Sequence, residues 1–121
     1  MDVRTKRVYD DADPDDGYRV LVDRLWPRGV AKDRAQVAAW ARELAPSDEL
    51  RRWFDHDPNR WDEFARRYAQ ELEQGSPALA DLQQRLGAGE RITLVFGARD
   101  REHNNAVALR QFLLAAAGPE Q

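Results

Sequence analysis

The sequence predicts a small three-layer α/β/α domain with a mainly parallel sheet. Three observations carry that prediction. Ile92-Thr93-Leu94-Val95-Phe96 is a short, almost wholly apolar run, the mark of a strand covered on both faces. Two further segments near the start, Val3–Tyr9 and Tyr18–Trp26, are rich in β-branched and aromatic residues. Between them and Ile92 lie segments with helical periodicity, and helices that connect strands imply right-handed crossovers into a parallel sheet. At 121 residues the chain suits one domain with one core, spanning residues 1–121.

Each element follows from local chemistry. Strand Val3–Tyr9 runs into Asp10–Gly17, where five Asp, a Pro and a Gly supply turn bonds, a fixed φ and a position tolerant of φ > 0. In Tyr18–Trp26 the succession Val20-Leu21-Val22 implies cover on both faces. Pro27-Arg28-Gly29 ends that segment, because proline cannot donate to a ladder. Val37–Leu44 reads either way: its Ala and Glu favour helix, while its place between loops suits a strand.

Ser47 is a natural N-cap, with Asp48 and Glu49 in the first turn of a helix reaching about Phe54. Pro58 opens the next helix, Pro58–Glu73, with Trp61, Phe64, Ala65, Tyr68 and Leu72 on one face. That stripe is core, because helical spacing accounts for it. Ser76-Pro77 opens a helix carrying Leu79, Leu82 and Leu86, and Gly87-Ala88-Gly89 closes it. After Phe96, Gly97 through Asn105 is a polar loop and Ala106–Ala116 is the last helix.

Composition narrows the function. The net charge of −3 lacks the basic surplus that phosphate neutralisation requires, so nucleic acid is not an expected partner. The absence of cysteine removes thiolate nucleophiles and Cys-type metal sites. With two histidines, a transition-metal site would need both His and carboxylates together, so no metal and no cofactor are expected. Met1-Asp2-Val3-Arg4 runs directly into charge, and no run approaches the roughly 18 apolar residues of a membrane span. A cytoplasmic domain without membrane association is the expectation. Oligomeric state is not readable.

Three constellations are candidates for chemistry. In Phe96–Asn105, the turn from the central strand into the last helix, free N–H groups and a positive dipole end favour an anion. Gly97 allows close backbone approach, Arg99 or Arg101 add charge, and Asn104 and Asn105 present amides. Asp100 and His103 are the candidate catalytic pair, since imidazole is the side chain best suited to move a proton. Equally, Asn104 serves simply as a helix cap. In Asp23–Gly29, Arg24 and Arg28 offer planar forks for carboxylate or phosphate. The alternative there is an internal Asp23–Arg24 ion pair. In His56-Asp57-Pro58 a histidine stands beside a carboxylate, but Asp57 before Pro58 is foremost a helix cap.

Taken together, Lys6-Arg7-Val8-Tyr9, the block Asp16-Gly17-Tyr18-Arg19-Val20-Leu21-Val22-Asp23-Arg24-Leu25-Trp26-Pro27-Arg28-Gly29, Trp40, Ala45-Pro46-Ser47, Leu50-Arg51, Trp53-Phe54, His56, Phe64, Tyr68, Glu71-Leu72 and the late Asp100 with Asn104, Asn105 and Ala106 resemble one family. The chain resembles the YeaO-like branch of the "domain of unknown function 488" group over about Val3 to Leu114. The wider group is similar to the rhodanese and cysteine-phosphatase superfamily, whose reactive cysteine sits in an anion-cradling loop between strand and helix. Other branches of the group place a Cys-His-Arg triplet there, and the matching stretch here is His103-Asn104-Asn105. Without a cysteine, neither persulfide transfer nor phosphocysteine chemistry is available to this chain, and the resemblance leaves open whether the anion cradle survives without its nucleophile.

The expectation is a domain that binds a small anionic, phosphate-like ligand at the N-terminus of the last helix. Arg24, Arg28, Gly97, Arg99, Asn104 and Asn105 bind, and Asp100 and His103 move a proton if chemistry occurs. The rival expectation is a regulatory or protein-interaction module, acting through the Asp48–Phe54 helix or the basic pairs Arg51-Arg52 and Arg66-Arg67.

Overall fold

A computed structural model of the chain describes Met1–Ala117. Four strands, β1 (Asp2–Arg7), β2 (Tyr18–Leu21), β3 (Ala39–Trp40) and β4 (Arg91–Phe96), form one sheet in the order β1-β4-β2-β3. Every pairing is parallel, with Arg7 opposite Phe96, Leu21 opposite Val95 and Leu21 opposite Trp40. All four carboxyl ends therefore emerge along one edge, and the loops leaving them meet there.

β4 is paired on both sides, which is why the segment can be apolar throughout. Ile92, Leu94 and Phe96 point with Val3, Val20 and Val22 toward one face, where they pack on four helices. These are α2 (Asp48–Phe54), α3 (Trp61–Leu72), α4 (Pro77–Gly87) and α5 (Asn105–Ala117). Val95 points to the opposite face with Leu21 and Val8. There the cover is thinner: the one-turn helix α1 (Lys32–Ala35) and the neighbouring residues Trp26, Val30, Val37 and Trp40. The three-layer α/β/α arrangement is thus present, with one slender outer layer and a wholly parallel sheet.

Several element boundaries differ from the sequence expectation. β2 stops at Leu21 rather than Trp26. Val22 N–H still reaches Val95 O (3.1 Å), but at the next position the Asp23 carboxylate, not backbone, meets the N–H of Gly97 (2.8 Å). β1 ends at Arg7 because its partner β4 ends at Phe96. The ambiguous Val37–Leu44 divides into two-residue β3 and a 3-10 turn over Arg42–Leu44. The Pro58 helix opens as a 3-10 turn capped by Asp57, whose side chain accepts from Asn59 N–H (3.0 Å), before α3 begins at Trp61. α1 had no sequence signal strong enough to predict it.

The amino half of the second face is polar and fully wired. Asp16, buried, accepts from Arg19 Nη1 (2.7 Å) and Lys6 Nζ (3.0 Å). Buried Arg19 also donates to the carbonyls of Ala35 (2.8 Å) and Gln36 (3.1 Å), which fastens α1 to the sheet. Charges this deep require such pairing.

Candidate functional site

At the carboxyl edge of the sheet lies a pocket of about 210 Å³. Its depth is apolar, formed by Pro46, Phe54 of α2 and Phe64 of α3. The two phenyl rings stack with centroids 4.3 Å apart. Polar groups enter from three directions: Asp23 and Arg24 beyond β2, Arg51 and His56 from the end of α2, and His103, Asn104 and Asn105 at the start of α5.

The loop between β4 and α5 is held rigidly. Arg7 donates to the carbonyls of Ala98 (2.8 Å) and Gly97 (3.2 Å), and Arg101 makes a two-pronged pair with Asp10 (2.7 and 3.0 Å). Asp100 accepts from the backbone N–H groups of Glu102 (2.9 Å) and His103 (3.0 Å) and from the ring Nδ1 of His103 (2.9 Å). Those donors hold its carboxyl below the ordinary carboxylate value, the Glu102 N–H contributing most. The sequence pair Asp100–His103 is therefore a real contact. It commits Nδ1 and leaves Nε2 as the ring nitrogen open to a ligand. The His103 ring rests edge-on against Trp61, centroids 5.3 Å apart, so its orientation is set from two sides.

The sequence-chosen ligand residues separate into two groups. Arg24, His103, Asn104 and Asn105 line the pocket. Asn104 does so with a fully engaged side chain: Oδ1 caps α5 by accepting from Val107 N–H (2.9 Å), and Nδ2 donates to Asp100 O (2.9 Å). Asn105 Nδ2 donates to Val22 O (2.9 Å), tying α5 to the end of β2. Gly97 gives its N–H to Asp23 and does not face the pocket. Arg28 and Arg99 are exposed and lie outside its lining. Near Arg28, its own backbone carbonyl receives the Tyr9 hydroxyl (2.9 Å). The cavity thus gathers the Arg24 side of the Asp23–Gly29 segment but not its Arg28 end.

Arg51 was not among the ligand residues chosen from sequence, whereas Asp23 and His56 stood in candidate segments without being assigned to bind. Arg51 stands opposite Arg24, and the two share one carboxylate: Asp48 Oδ1 lies 3.2 Å from Arg24 and 3.4 Å from Arg51. The mouth consequently carries two guanidinium groups against one acid. The anticipated Asp23–Arg24 pair does not form. Asp23 instead turns inward, and no cation pairs with it among the described residues. Burial pushes its carboxyl up, and the Gly97 N–H and Asn105 amide offset this only in part.

His56 is exposed at the rim, and neither it nor Asp55 has ordinary backbone geometry. Their φ values are +53° and +48°. Asp and His are among the residues that tolerate this left-handed region, and a Phe-Asp-His sequence leaving a helix was the available signal. The Asp57 carboxylate beside His56 caps the next turn, as the capping reading had it.

Two other charged features are built around ion pairs of their own. The groove lined by Arg4, Lys6, Asp13, Asp15 and Asp16 holds the Lys6–Asp16 pair. Arg66 and Arg67 both clasp Glu63 (2.6–2.9 Å), which lowers its carboxyl to about 2. No group of three or more metal-ligating side chains occurs among the described residues, and no helix there is long and apolar enough to cross a membrane.

Relatives match nearly the whole chain. The uncharacterized protein Rv3073c of Mycobacterium tuberculosis is 50% identical over 111 residues, covering 92% of each chain. The uncharacterized protein YeaO of Escherichia coli K12 is 39% identical over 116 residues, covering 93% of this chain and 97% of its own. No solved structure matches. These matches support the YeaO-like resemblance and do not extend it to the rhodanese superfamily. A family profile described as the inactive DUF488-N3 subclade spans residues 2–121, and the chain belongs to that family.

Proposed function

We propose that the chain is a binding domain for a small anionic molecule, held at the mouth of the pocket between Arg24, Arg51 and the start of α5. The observation that carries the reading is the pair of guanidinium groups sharing the single carboxylate of Asp48 at an opening whose depth is apolar. An incoming carboxylate or phosphate oxygen completes that cluster, and guanidinium forks suit both groups. Nε2 of His103, oriented by Asp100, supplies a further hydrogen bond. The α5 dipole favours negative charge at the same end.

Binding without turnover is the form this reading takes. The family description calls the subclade inactive, and the sequence carries no cysteine in the loop before α5. Against nucleic acid as the partner, Arg66 and Arg67 are both held on Glu63, and the chain as a whole carries a net charge of −3 rather than a basic surplus. Thermal melts in increasing inorganic phosphate at constant ionic strength test the proposal. A ligand that binds only the native state raises the melting temperature with its concentration. The rise is expected to vanish in the double variant Arg24→Ala/Arg51→Ala, and an equal rise in that variant would refute it.

A further inference from the structure

We infer that the pocket takes a zwitterion, a small amino-acid-like ligand whose anionic group bridges Arg24 and Arg51 while its ammonium group meets Asp23. This deepens the proposal above and rests on it. The inference starts from Asp23, which lines the same cavity as the two arginines yet shares none of their charge. Arg24, its sequence neighbour, turns to Asp48 (3.2 Å). One Asp23 oxygen takes the Gly97 N–H at 2.8 Å, which fixes the carboxylate in place. A half-buried carboxylate without a cation is costly unless it is protonated or a partner arrives. An ammonium group entering the pocket is such a partner.

The rest of the cavity agrees with this polarity. Positive groups stand at the mouth, the lone carboxylate lies further in, and Phe54, Phe64 and Pro46 offer an apolar wall between and behind them. A volume of about 210 Å³ lies below the ~300–1,000 Å³ of pockets that hold drug-sized ligands and suits a small molecule. A purely anionic ligand would leave Asp23 unpaired and would bring like charge toward it. A purely cationic one would meet two arginines at the entrance. Only a molecule carrying both signs satisfies both ends.

A matched set of three probes tests the inference on the intact chain by calorimetry: leucine, 4-methylpentanoate (leucine without its amino group) and 3-methylbutylamine (leucine without its carboxylate). Leucine is expected to bind about tenfold or more tightly than either truncated probe, the scale of one lost charge-assisted hydrogen bond. Asp23→Asn, which keeps an acceptor for the Gly97 N–H, is expected to reduce leucine affinity by about tenfold and to leave 4-methylpentanoate within about twofold. If the acid binds as tightly as leucine in both proteins, the zwitterion inference is overturned while the anion reading stands. If the amine matches leucine, the arginine end contributes nothing and the anion reading fails with this inference; if neither leucine nor the acid binds while inorganic phosphate still raises the melting temperature, this inference is overturned and the anion reading stands.

Discussion

Replacing Asp16 by alanine should be among the most damaging single changes outside the main core. The carboxylate is buried and accepts from Arg19, from Lys6 and from the backbone N–H of Asp13 (3.0 Å). Lys6 is partly exposed and can turn to water when its partner is removed. Arg19 cannot, because its other nitrogens are committed to the carbonyls of Ala35 and Gln36 and its side chain is 6% exposed. Asp16→Ala therefore strands a buried guanidinium, a defect worth about 3 kcal/mol at the low end of the range for broken buried pairs. With an unfolding entropy of ~2.1 cal/mol/K per residue over 121 residues, that corresponds to a drop of about 12 °C in melting temperature.

Calorimetry and urea melts of Asp16→Ala, Arg19→Met and the double variant measure the coupling. The loss should shrink to about 1 kcal/mol when Arg19 is already methionine, since no charge is then stranded. The pH dependence has a definite sign. Burial raises the Asp16 carboxyl, but Lys6, Arg19 and the Asp13 N–H outweigh it and the net shift is downward. Its contribution is thus present above the ordinary value of 3.8 and fades as pH falls through the lowered one. Wild type and Asp16→Ala should converge in stability below that window. A loss under about 1 kcal/mol, or an equal loss in both Arg19 backgrounds, would refute the reasoning.

Three further outcomes follow from other parts of the fold. Gly17 has φ +68°, and an added Cβ would lie 2.4 Å from the Arg91 carbonyl oxygen, so Gly17→Ala should cost more than about 2 kcal/mol in a chemical melt. Phe64→Ala removes a buried ring stacked on Phe54 and should cost about 3–5 kcal/mol while enlarging the pocket, seen by calorimetry and by increased uptake of an apolar dye. Asp23 titrates above its ordinary value in the folded state because it is buried. Its favourable contribution is complete below 3.8 and is lost as pH rises through the raised value. Asp23→Asn should therefore be more stable than the parent at neutral pH, with the gap narrowing in acid melts. A gap independent of pH would contradict that.

That last variant, more stable but poorer at binding, has the form of a site retained at the expense of stability.

How far the sequence discloses this molecule can be judged from individual residues. Ile92–Phe96 was readable because a fully apolar pentapeptide has few places to go except the middle of a parallel sheet. Ser47 and Ser76 were readable because capping is local: each accepts an N–H three residues on, from Leu50 and Leu79 (both 3.1 Å). The Asp100–His103 contact lies within one turn and was likewise within reach. Arg51 was not, since nothing in Leu50-Arg51-Arg52 tells which arginine faces Arg24 across a gap closed only by tertiary packing. The inward turn of Asp23 depends on where β4 ends, a fact about the neighbouring strand. Strand order itself depends on the helical crossovers and leaves no local trace.

The central claim is that one cavity, at the carboxyl edge of the sheet, receives an anion. It is tested most directly by titrating the ¹⁵N-labelled chain with inorganic phosphate and following each backbone amide. The account predicts saturable shifts confined to Asp23–Leu25, Arg51 and the Gly97–Asn105 loop, with Arg19 and Thr93 on the far side of the sheet unmoved. Shifts that grow linearly without saturation, or that centre on Arg28, Arg99 or the Arg66-Arg67 pair instead, would contradict it.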